Sequence, residues 1–247
     1  MARPRAADYE AQRHQLMQAA AALFAQRGFT AATMNDVAAA AGVSKATLYH
    51  YFQDKHSLLG EIVGSHVSRL QALAREVMHA PTLPNPDPAA PSDSHCGTSA
   101  PGGQGRTGGS AADESRLRDL IRRFMLAYAD AQNEHRVLTE DVKFLDEAAR
   151  RTVLDGQREV VAAFARGIAA CRPDLDPAMA KPLAMLLFGM INWTFTWLRP
   201  HGGLTHEALG EVVADLFFGG LGQVRADAPA RHLPPAASDQ MLAYAGH

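Results

Sequence analysis

The sequence predicts an all-α protein: an N-terminal three-helix DNA-binding helix-turn-helix domain followed by a C-terminal helical ligand-binding and dimerisation domain. Three observations carry this. Apolar residues recur at helical spacing along most of the 247 residues, and strand-like alternation is hard to find. The run Ala41-Gly42-Val43-Ser44 places a turn-forming glycine and a capping serine between two short helical patterns. Near the C-terminus, Met179, Leu183, Leu186, Leu187, Met190, Ile191, Trp193, Phe195 and Trp197 make a segment apolar on almost every side, which needs cover all round.

The first helix carries Leu16, Ala19, Ala20, Leu23 and Phe24 and stops at Gly28. Thr33 can cap a second, short helix over 34–41, with Val37 and Ala38 apolar. Gly42 takes the left-handed turn at little steric cost, and Ser44 offers its oxygen to the free N–H groups of a third helix. In that third helix Leu48 and Phe52 lie four apart and face inward. Lys45, Thr47, Tyr49 and His50 are left to face outward. A short helix exposing donors at its start suits a major groove and its flanking phosphates. Phe29 and Phe52 are available to plug the junction of the three helices. Asp54 can cap a fourth helix reaching residue 79, with Leu59, Ile62, Val63, Val67 and Leu70 on one face. Lys55 at the positive end of that helix is poor dipole chemistry, which makes sense if it meets a phosphate.

Gly42-Val43-Ser44-Lys45-Ala46-Thr47-Leu48-Tyr49-His50-Tyr51-Phe52, with Asp54-Lys55 and Leu58-Leu59 after it, resembles the DNA-binding region of the TetR family of bacterial repressors. The resemblance covers about residues 10 to 60. It implies an all-helical homodimer on double-stranded operator DNA, with Tyr49, Tyr51 and Lys55 on phosphates and Lys45, Thr47 and His50 near base edges. Thr33, Ser44 and Ala46 complete the expected DNA-binding set. Each has a plain structural alternative: Tyr51 can simply pack, His50 and Lys55 can be solvated, and Thr33 can act first as a cap.

Composition bounds the rest. The formal net charge is -2, yet residues 1 to 60 carry Arg3, Arg5, Arg13, Arg27, Lys45 and Lys55 against Asp8, Glu10, Asp36 and Asp54. That local excess can supply the phosphate attraction DNA binding needs. Cys96 and Cys171 do not make a disulfide framework, and the N-terminus has no apolar signal core, so a cytoplasmic protein is expected. The apolar run 183–198 is shorter than the roughly 20 residues of a membrane span and contains Asn192, so no membrane association is expected. GxSxG, P-loop and HExxH patterns are missing, and His201 and His206 lack the partners of a zinc site. The chain is therefore expected to be no enzyme, with no cofactor and no metal.

The organisation expected is 8–56 for DNA binding, 57–79 as a linking helix, 80–112 as a disordered insert, 113–224 for ligand binding and dimerisation, and 225–247 as a disordered tail. The insert holds six prolines and six glycines and cannot bury enough apolar surface to order itself. Its Gly103-Gln104-Gly105-Arg106-Thr107-Gly108 has the GxGxxG spelling but neither the strand before nor the helix after that a dinucleotide site needs.

Beyond the insert, Leu117, Leu120, Ile121, Phe124, Met125 and Tyr128 form one helical face. Leu138, Val142 and Leu145 form a second, and Val153, Val160, Val161, Phe164 and Ile168 a third. Two helices close the chain, 177–198 and 205–221, each apolar beyond one core face. They are the expected homodimer seam. The stretch 189–197 with Arg199-Pro200-His201-Gly202-Gly203-Leu204 is similar to the C-terminal region of TetR-type repressors of fatty-acid and phenylacetate breakdown. That similarity implies a small-molecule effector, an acyl-CoA thioester. Phe124, Tyr128, Phe144, Phe164, Trp193 and Phe195 are candidates for its apolar slot. Arg123 and Arg150, with Arg122, Arg151 and Arg158, are candidates for its phosphates. Asn192, an amide amid apolar neighbours, must find hydrogen bonds as a cap, at the dimer seam or on a ligand. A hydrophobic drug-like inducer of an efflux or stress gene is the alternative, as is an activator in place of a repressor.

Overall fold

In the computed structural model the described residues are 3–80, 111–199 and 202–225. They form α1 (Arg3–Arg27), α2 (Met34–Ala40), α3 (Lys45–Tyr51), α4 (Lys55–His79), α5 (Ala111–Asp130), α6 (Gln132–Asp141), α7 (Glu147–Cys171), α8 (Ala180–Ile191), α9 (Thr194–Trp197) and α10 (His206–Leu221). No strand occurs among the described residues. Most of the expected 80–112 insert, Cys96, His201 and nearly all of the 225–247 tail lie outside those residues.

The helix boundaries follow from local chemistry. Gly28 and Gly42 both adopt positive φ, +80° and +67°, which an L side chain rarely tolerates. They end α1 and turn the chain between α2 and α3. Thr33 Oγ1 accepts from the Asp36 N–H while the Asp36 carboxylate accepts from the Thr33 N–H, a reciprocal cap for α2. Ser44 Oγ accepts from the Thr47 N–H at 3.0 Å and starts α3. Asp54 starts α4 in the same way through the Ser57 N–H at 2.7 Å.

The helices enclose two cores. One gathers Leu16, Phe24, Phe29, Val37, Leu48 and Phe52 around the first half of α4, and it also takes in Val137, Leu138, Val142, Leu145 and Val153. The N-terminal domain is thus completed by residues from α6, the turn after it and the start of α7. The other core packs the second half of α4 with α5, the rest of α7, α8 and α10, around Phe124, Phe164 and Phe188. Val67 belongs to the first core and Leu70 to the second, so a single helix crosses from one to the other.

The continuous helix expected over 177–198 is instead broken. A short 3-10 turn, Pro177–Met179, leads into α8, which ends at Ile191, and α9 restarts at Thr194. Two side chains take the carbonyls left free at the break: the Thr194 hydroxyl donates to the Ile191 carbonyl at 2.9 Å, and His135 Nε2 lies 3.3 Å from the Asn192 carbonyl. The run Pro177–Trp197 is apolar enough to pass for a membrane span by composition. Its longest unbroken helix, however, has 12 residues, about 18 Å at 1.5 Å per residue, against a hydrocarbon thickness of about 30 Å.

Candidate functional site

On α3, Leu48 is fully buried and Phe52 nearly so, which fixes the orientation of the helix. Ser44, Lys45, Ala46, Tyr49 and His50 are exposed, and Thr47 is half-buried. The Lys45 ammonium lies 5.8 Å from the centre of the Tyr49 ring, keeping cation and phenol side by side on the outer face. Thr33 is exposed at the start of α2, with its hydroxyl engaged to Asp36. These hydrogen bonds hold the Asp36 carboxyl below the usual carboxylate range.

Two residues of the expected DNA-binding set also have partners within the protein. Lys55 is half-buried: its ammonium donates to the carbonyls of Phe29 and Ala32 at 2.8 Å each and of Thr30 at 3.5 Å, and sits 4.3 Å from the Phe29 ring centre. It clamps the loop between α1 and α2, which gives a cation at this helix start partners within the protein. Tyr51 is half-buried; its hydroxyl donates to Gln12 Oε1 at 2.8 Å and its ring stacks on Tyr9 at 4.5 Å. Both position α3 and its neighbours.

A cavity of about 280 Å³ lies where the two cores meet. Val67 and Leu70 of α4 form one side, Val160 and Val161 of α7 another, and Phe188 of α8 a third. Of the residues expected at a ligand, Tyr128, Asn192 and Trp193 line it. Phe124 and Phe164 do not: they are fully buried behind it, 4.8 Å apart edge to face, because the second core needs them as filling. Phe144 packs against Phe29 in the N-terminal core at 5.2 Å, since the turn after α6 serves that domain. Phe195 stacks on Trp193 outside the cavity lining. Arg123 is paired with Glu76 and Asp119 on the surface, Arg122 with Asp119 and Arg151 with Glu147; Arg150 is exposed on the first turn of α7. None of these arginines lines the cavity.

Tyr128, His135 and Asn192 of the cavity wall belong to a hydrogen-bonded chain that continues to His66 and Arg69 outside the lining; sequence reasoning singled out Tyr128 and Asn192 and missed the two histidines and Arg69. Arg69 donates to His66 Nδ1 at 3.2 Å, and a guanidinium has no acceptor to offer. His66 must therefore carry its proton on Nε2 and donate to His135 Nδ1 at 3.4 Å. His135 in turn carries its proton on Nε2 and donates to the Asn192 carbonyl. The Tyr128 ring stacks on His135 at 3.8 Å, and its hydroxyl donates to Asn192 Oδ1 at 3.0 Å. Burial, with Arg69 nearby and His135 alongside, pushes His66 down to about 2, and burial alone pushes His135 down to about 4, so both rings are neutral. A signal existed: His66 falls in the apolar stripe 62–63–66–67–70 of α4, and His135 is three residues before Leu138 on the buried side of α6. Among the described residues no group of three or more His, Cys, Asp or Glu side chains could hold a metal.

Residues 16–62 match the family model for bacterial regulatory proteins of the tetR family, and residues 110–221 match that of the tetracyclin repressor-like C-terminal domain. The transcriptional repressor KstR2 of Mycolicibacterium smegmatis is 25% identical over 229 residues, spanning 87% of this chain and 93% of that protein. A crystal structure of a TetR-family transcriptional regulator from Bordetella parapertussis superposes with a TM-score of 0.69 at 28% identity, covering 86% of this chain and 97% of that one. AibR, solved with isovaleryl coenzyme A and operator DNA, shares the fold with a TM-score of 0.63 at 20% identity, over 83% of this chain and 97% of its own.

Proposed function

Because this chain belongs to the TetR family of bacterial DNA-binding transcriptional regulators, we propose that it is a repressor released from its operator when an acyl-CoA thioester enters the cavity between its two cores. The observation that carries this reading is the continuity of α4. Its start is locked to the DNA-facing domain by Lys55, and its middle supplies Val67 and Leu70 to the cavity wall. An occupant that moves those two residues moves the base on which α3 rests.

The acyl-CoA assignment is supported by AibR, which was solved with such a thioester and with DNA, and by an apolar cavity that suits an acyl chain. The lining contains no Asp, Glu, Lys or Arg, so the acyl end enters while the phosphates stay outside. The protein acts in the cytoplasm, and it works as a homodimer through its last helices. Leu186 and Leu216 are each 66% exposed, Trp197 and Val212 each 54%, and together they leave α8, α9 and α10 with an apolar outer surface that a second copy covers. Two copies of α3 then reach half-sites about 34–36 Å apart or at a related spacing.

The test is fluorescence anisotropy with a labelled duplex from the DNA upstream of the protein's own gene, titrated with acyl-CoAs of graded chain length. The matching thioester weakens operator binding about 5–150-fold, the range of a coupling of about 1–3 kcal/mol. Constant affinity across the whole panel removes the acyl-CoA assignment and leaves the DNA-binding assignment intact.

A further inference from the structure

We propose that Gln157 reads the effector: the part of the molecule that enters the cavity is uncharged and presents a hydroxyl or amide N–H to the side-chain oxygen of Gln157. This rests on the cavity being the effector site, and it adds the chemistry that the occupant must carry.

Tyr128, His135 and Thr139 on the wall have partners within the protein. Tyr128 donates to Asn192 Oδ1, His135 bridges His66 and the Asn192 carbonyl, and the Thr139 hydroxyl donates to the His135 carbonyl at 2.8 Å. Gln157 differs. Its side chain lines the cavity, while its Oε1 is turned in behind that surface and, among the described residues, is the buried side-chain oxygen left without a hydrogen-bond partner; rotation of the terminal amide, a soft torsion, presents it to an occupant. A buried amide oxygen in that condition destabilises the empty protein and is relieved when a donor arrives. The oxygen accepts only, so the complementary ligand group is a hydroxyl or an N–H.

Charge narrows the class further. No acidic or basic side chain lines the cavity, and its histidine is neutral. An ionised group placed inside loses its hydration and gains no counter-charge. Gln157 also follows Gly156, whose hydrogen faces Val67 of α4 so closely that an added Cβ would stand 2.5 Å from Val67 Cγ1. A donor bound at Gln157 is therefore held beside the point where α7 touches α4. For an acyl-CoA the donor is a hydroxyl on the acyl chain or an amide N–H of the pantetheine arm.

The test uses the full-length protein and matched probes: 1-alkanols of six to twelve carbons, their methyl ethers, and the carboxylates of equal length, with affinity measured by calorimetric titration. The wild type binds an alkanol about tenfold tighter than its ether, the difference one satisfied hydrogen bond makes, and binds the carboxylate least. Gln157→Leu binds alkanol and ether alike; Gln157→Met, closer in volume, gives the same readout should the leucine variant not fold. Equal affinities in the wild type, a preference for the ether or carboxylate, or an alkanol preference that survives both substitutions overturns the role of Gln157. Failure of the wild type to bind any member of the series contradicts the cavity reading instead.

Discussion

Lys55 stands at the positive end of α4, where the helix dipole disfavours a cation, and its ammonium faces three carbonyls of the loop after α1. Tyr49, four residues into α3, has no such partner and is 43% exposed. The two residues are therefore expected to separate in experiment. Lys55→Met lowers thermal stability by about 1–3 kcal/mol, the loss of a charged donor to partly buried carbonyls, whereas Tyr49→Ala leaves the melting temperature in place and weakens operator binding. Periodicity made Tyr49 legible, because Leu48 and Phe52 decide which side of a seven-residue helix faces out. The roles of Lys55 and Tyr51 were not legible, since their partners Phe29 and Gln12 lie 26 and 39 residues away. The buried histidines give a second prediction. An unfolded chain protonates both near pH 6.5, while the native chain resists down to about 4 for His135 and about 2 for His66. The stability they contribute is complete above pH 6.5 and is lost as pH falls toward 4, by about 1.4 kcal/mol per pH unit for each ring. Asp141 opposes this: burial lifts its carboxyl to about 6, so its charge is a burden at pH 7 that fades as pH falls through 6. Two groups outweigh one. Denaturant midpoints should fall between pH 7 and pH 4.5, and His66→Leu should flatten that slope while lowering the midpoint at pH 7.

Among the elements, α4 and α7 make the contact through which the proposed signal would pass, and Gly156 sets their separation. Any side chain there meets Val67, whose branched Cβ is stiff in a helix. Gly156→Ala is expected to push the two helices apart, to cost about 1–3 kcal/mol by overpacking, and to weaken operator binding without any effector. Thermal denaturation and anisotropy measured on the same preparation check both parts. Hydrophobic spacing revealed the apolar face of α5 residue for residue and most of the larger apolar residues of α4 and α7, but not the small or polar ones buried beside them, such as His66, Ala74, Gly156 and Gly167. It failed at 192–193. A segment apolar on all sides carries no phase, so periodicity alone cannot show where it breaks; the break depends on Thr194 and on His135 taking the freed carbonyls. Spacing also could not show that α6 and the turn after it join the N-terminal core, since an apolar face does not name its partner.

At the scale of the whole molecule, the proposed function has two cores joined by one long helix turn occupancy of the cavity between them into a change at a DNA-facing surface. That requires a pair of such molecules. Leu216→Glu, on the exposed apolar face of α10, should convert the dimer to monomer in sedimentation while leaving helix content unchanged, and operator affinity should fall with it. The cavity itself was only partly legible: Tyr128, Asn192 and Trp193 could be picked out as aromatic or polar residues in apolar surroundings, but His135 and Gln157, and His66 paired with His135 beyond the lining, come from three helices whose packing no spacing reveals. The DNA-facing role of α3 underlies all of this and is tested most directly by operator anisotropy on the Lys45→Ala, Tyr49→Ala double variant, with sedimentation run alongside. Affinity should drop at least about tenfold, a loss of about 1.4 kcal/mol or more, while the dimer and its melting temperature persist. Undiminished operator binding by that intact dimer would contradict the assignment.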